Sequence, residues 1–206
     1  MNMQAQRDLA LAYLKENSAE QAQTSAAIFR TIARRDPANL LARRDLAIAY
    51  DRIGSLQAAE GKWAAAMENY RRLIQASRDW LAQNPENLFA SQMVASAHLK
   101  LGEAQVVSGD KQLALQSAQT ATSLFEQLHA KDKDNTEFSR GLALSWFAVA
   151  KSLVDASQWS EAKLNLEKSS ALVEQLRKDG MLQAVDSNLP QEIAAALDRC
   201  QRQMKN

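Results

Sequence analysis

One period governs this chain. Slid by 48 residues, residues 40–87 fall on 88–135 without a gap, and those fall on 136–183. Identical pairs across the first two copies include Leu40/Leu88, Ala42/Ala90, Gly54/Gly102, Gln57/Gln105, Gly61/Gly109, Ala66/Ala114 and Asn87/Asn135. The third copy keeps Ala143, Val154, Ala162 and Leu172, and puts Ala150 where the others have glycine. Repetition at this spacing marks a chain of stacked supersecondary units that bury their apolar faces against one another.

Each copy reads as two helices. Leu41 to about Ala59 and Lys62 to about Gln83 form the first pair, broken at Gly61. Gly109, followed by Asp110 as a helix cap, and Ser157 take that place in the next two copies. Polar breaks at Asp36-Pro37-Ala38-Asn39, Asn84-Pro85-Glu86-Asn87 and Asp132-Lys133-Asp134-Asn135 separate the copies. The segment before residue 39 is a shorter copy, aligned at an offset of 44, with Ala10 on Gly54 and Asn17 on Gly61. Ser18 and Gln21 make a capping-box pattern there. The repeats are therefore set at about 3–38, 39–86, 87–134 and 135–180, within a single domain spanning 1–206. After a loop over about 179–187, Asn188-Leu189-Pro190 starts a last helix, about 189–204, with Ile193, Leu197, Cys200 and Met204 on one stripe. It is expected to cap the array, giving nine helices.

Composition supports the same reading. Ala, Leu, Gln, Glu, Lys and Arg dominate, and Gly and Pro together fill nine positions, too few for the turns of a sheet protein. A formal charge of +1 creates no field for nucleic acid or anionic lipid, and no apolar run is long enough to span a membrane. One cysteine excludes an internal disulfide, and no secretory signal opens the chain, so a cytoplasmic location is expected.

The residues then reach a known pattern. Tyr50, Ile53, Gly54, Gln57, Gly61, Trp63, Ala66 and Tyr70 recur as His98, Leu101, Gly102, Gln105, Gly109, Lys111 and Ala114, and again as Trp146, Val149, Ala150, Leu153, Trp159, Ala162 and Leu166. This resembles the tetratricopeptide repeat family, in a long-repeat bacterial form whose spacing exceeds the usual repeat of about 34 residues. The resemblance implies an all-α fold, a right-handed superhelical array of antiparallel helix pairs. Small residues such as Gly54 and Ala66 would mark close crossings of the paired helices. The resemblance also implies a protein-interaction scaffold binding a partner polypeptide in a concave groove. The alternative is a regulatory or oligomerisation segment of a larger bacterial signalling protein such as a Ser/Thr kinase.

Chemistry-bearing motifs are missing from the sequence. His98 and His129 stand 31 residues apart, with no ligand at metal spacing, and His98 occupies a packing position. Cys200 reads as a small hydrophobe. Neither a catalytic set, a cofactor nor a metal is expected. The basic doublets Arg34-Arg35, Arg43-Arg44 and Arg71-Arg72 have Asp36, Asp45 and Glu68 beside them and read as solvated faces. Carried over from the resemblance, the groove would be lined by Leu11 and Leu14; Ile48 and Asp51; Leu99, Glu103 and Val106; and Leu144, Phe147, Lys151 and Val154. Such a groove suits a protein or peptide, for instance an amphipathic helix, or a second copy of the chain. Within it Leu99 and Phe147 would be the anchors. The competing reading is that these long helices bury the same residues within the superhelix.

Overall fold

The computed structural model describes residues 2–205. Among them lie nine α-helices, one short 3-10 helix and no strand. The helices are α1 Met3–Lys15, α2 Ala19–Arg35, α3 Leu40–Ala59, α4 Trp63–Leu81, α5 Leu88–Val107, α6 Lys111–Lys131, α7 Thr136–Asp155, α8 Trp159–Lys178 and α9 Leu189–Gln203. The boundaries follow the repeat period to within two residues. The all-helical, repeat-built fold expected from the sequence is what the chain adopts.

Two compact units make up the chain, residues 1–108 and 109–206. In the first, α1 to α5 pack each on the next, and α3 also touches α1 and α5. Phe29, Ile32, Ile53 and Leu73 are its largest fully buried side chains. In the second, α6 to α9 pack in succession around a core that includes Phe147, Leu153, Leu166, Val173, Ile193 and Cys200.

Local chemistry explains where the helices begin. The side-chain oxygens of Asn39, Asn87 and Asn135 accept from the Ala42, Ala90 and Phe138 amides at 3.0, 2.8 and 3.2 Å. Each satisfies an amide that a helix start leaves unpaired. Gly61 and Gly109 turn the chain at φ of 74° and 83°, and Ser157 adopts the same left-handed conformation at 60°. Asn17 does not: the shorter first copy turns through Glu16 in extended backbone.

Four sequence expectations need correction. Asp110 holds the cap position of α6 but makes no capping hydrogen bond. The Ser18 cap closes on the Gln21 amide at 3.4 Å, while the Gln21 side-chain oxygen stays unpartnered, so the box is half formed. Met204 lies exposed beyond α9, because that helix ends at Gln203. Asp45 is no part of a solvated face. It is 1% exposed and accepts from Arg7 Nε at 2.6 Å and Arg44 Nη2 at 3.0 Å, because a buried carboxylate needs paired donors.

Candidate functional site

The small positions create the frame. A Cβ added to Gly54 would lie 2.5 Å from Tyr70 Cε1, so α3 and α4 cross there with only a hydrogen between backbone and ring. Ala66 and Ala162, at the small position of the second helix, are fully buried, and Ala114 nearly so. In the first unit α3 is thereby seated on α4, and in the second α7 packs on α8.

Within the first unit, α1, α3 and α5 lie in a row stitched by two ion pairs. Arg7 on α1 meets Asp45 on α3. Lys100 on α5 meets Asp51 on α3 at 2.5 Å and donates to Ser55 Oγ at 3.2 Å. Along this row Leu11, Leu14 and Ile48 are half-buried, and Glu103 and Val106 are exposed. Asp51, expected as a contact residue, is engaged with Lys100. Leu99 is only 8% exposed.

In the second unit the candidates all lie on α7. Leu144 is half-buried and Lys151 exposed, whereas Phe147 and Val154 belong to the unit's core. Lys151 Nζ lies 5.5 Å from the centre of the Phe147 ring, so the small edge of ring left open is covered by a neighbour on its own helix. The expectation that Leu99 and Phe147 stand free as anchors is therefore corrected: both are buried.

His98 and Cys200 are both shifted by their surroundings. Burial pushes the His98 imidazole below its ordinary value, helped by the charge of Arg78. Both its ring nitrogens are buried without a hydrogen-bond partner. Burial likewise pushes the Cys200 thiol up, away from the reactive thiolate. His129 Nδ1 shares a hydrogen bond with Ser139 Oγ at 3.1 Å. Among the described residues no group of three or more His, Cys, Asp or Glu side chains could hold a metal ion. Nor is any helix there long and apolar enough to cross a membrane.

The chain is similar in structure to BtubC (BKLC) from P. vanneervenii. The TM-score is 0.54 at 16% identity, covering 100% of this chain and 92% of that one. That likeness is one of fold. The MamA RS-1 ArsTM double mutant aligns at a TM-score of 0.48 and 12% identity, over 98% of this chain and 94% of that one. No protein-family profile matches the chain, and no curated protein does.

Proposed function

We propose that the chain is a tetratricopeptide-type scaffold that binds a partner polypeptide and carries out no catalysis of its own. The observation that carries this is the row of α1, α3 and α5. There the ion pairs of Asp45 and Asp51 tie α1, α3 and α5 side by side, and the close crossing at Gly54 seats α3 on α4. Leu11, Leu14 and Ile48 are left half-buried and Val106 open along it. A fixed face of part-exposed apolar residues with scattered charges suits a partner helix or an extended segment. With Leu99 buried, contact on this face rests on Leu14, Ile48 and Val106.

A photo-crosslinking side chain placed at Leu14 or Val106, compared with one at Arg71 on α4, tests the reading. Adducts to another polypeptide from the first two positions and not from Arg71 support it. Adducts from Arg71 alone contradict it, and an adduct of two copies of this chain identifies self-association as the interaction.

A further inference from the structure

A second feature of the first unit lies on other helices. Between α2 and α4, floored by α3, two adjoining cavities of about 400 and 210 Å³ share Arg30, Tyr50 and Arg72. Together they form a trough following α2 from Gln23 to Arg34, a stretch of about 16 Å at helical rise, and reaching Pro37 just past the helix end.

Its charge is one-sided. Arg30, Arg34, Arg43 and Arg72 line the larger cavity against a single carboxylate, Asp79. Asp79 keeps its negative charge while its Oδ1 accepts from Gln75 Nε2 at 2.8 Å. Arg72 is paired with Glu68 at 3.1 Å. Arg43 is held in place by carbonyls, donating from Nε and Nη2 to Pro37 O at 2.9 and 2.8 Å and from Nη1 to Asp79 O at 3.4 Å. Arg30 and Arg34 are exposed on successive turns of α2. The floor between these cations is apolar, from Leu46, Tyr50 and Ala76.

We propose that this trough binds an acidic segment of another polypeptide in extended form. Its carboxylates would meet Arg30, Arg34 and Arg43, and its small side chains would rest on the Leu46 and Tyr50 floor. A guanidinium fork matches a carboxylate with two parallel hydrogen bonds, and its weak hydration favours contact over solvation. The length admits about five residues of extended chain. A phosphate backbone fits less well. The chain carries a formal charge of only +1, and Tyr50, the one aromatic of the floor, is too buried for a base to stack on it. The site stands apart from the α1, α3 and α5 face, so either can fail without the other.

Fluorescence anisotropy with a labelled peptide of alternating glutamate and alanine, long enough to span the trough, tests the proposal. The intact chain binds it in a salt-sensitive manner, and the alternating glutamine and alanine peptide does not compete. Arg30→Glu with Arg34→Glu weakens binding by about tenfold or more. Arg30→Gln with Arg34→Gln weakens it less, and Arg71→Glu, also exposed but off the trough, changes it by less than about twofold. Circular dichroism confirms that the variants stay folded. Equal binding of the glutamine peptide, or binding unchanged by either double substitution, overturns the proposal. So does tighter binding of a single-stranded oligonucleotide that the same substitutions abolish, which makes the trough a phosphate site.

Discussion

Gly54 and Gly141 show how much a single hydrogen decides. A methyl at Gly54 would run into the Tyr70 ring, and one at Gly141 would run into the Phe125 ring still more closely. Both rings are buried, so neither can swing into solvent. Gly54→Ala and Gly141→Ala should each lower stability by about 1–3 kcal/mol, read as a shift in urea midpoint. The first site was legible in the repeat. The second was not, because the other copies carry Asp45 and Met93 there, and a glycine needed once leaves no periodic mark. Backbone sign gives a second residue-scale test. Ser157 sits at φ 60° where Gly61 and Gly109 sit in the other copies. Ser157→Gly should stabilise by about 0.5–1 kcal/mol, and Gly61→Ala should destabilise by about 1–2 kcal/mol, in thermal unfolding. Nothing lies within 4 Å of an added Gly61 Cβ, so its cost is backbone strain alone.

Elements were easier to read than their surfaces. The Asn-capped starts of α3, α5 and α7 and the glycine turns follow from one period and ordinary capping chemistry. Which side of each first helix remains open did not follow. Leu99 and Phe147 share a register position, half-buried Leu144 lies only three residues before Phe147, and spacing alone cannot say which is covered. Since Phe147 lies in the core of its unit, Phe147→Ala should cost about 3 kcal/mol of stability, measured by denaturant unfolding. His98 on α5 supplies a pH test. Its folded-state pKa lies below the ordinary 6.5, so the unfolded chain takes up the proton first as pH falls. Stability should therefore decline as pH drops through about 6.5 toward the depressed value, and be restored above it. His98→Gln should flatten that slope in melts recorded across the same range.

At the scale of the whole chain, a formal charge of +1 hides the arginine-lined trough between α2 and α4. Arg34, Arg43 and Arg72 stand in doublets that look neutralised in sequence by Asp36, Asp45 and Glu68. Folding keeps Glu68 on Arg72 but takes Asp45 away from Arg43. Asp45 turns inward to Arg7 and Arg44, and the guanidiniums that remain gather from three helices. Helical content and order were legible because they depend on local preference and period; the distribution of charge was not, because it depends on which carboxylates the packing withdraws. Underneath both lies the central claim, that one repeated register sets how the helices meet within each unit. It is tested most directly by the urea midpoints of Ala66→Leu, Ala114→Leu and Ala162→Leu beside Ala82→Leu. The first three alanines are buried at the small position of their repeats, and Ala82 is exposed just past the end of α4. Losses of about 1–3 kcal/mol at all three, with little change at Ala82, are the predicted result. A large loss at Ala82, or tolerance of leucine at any of the three, would contradict the register and the account built on it.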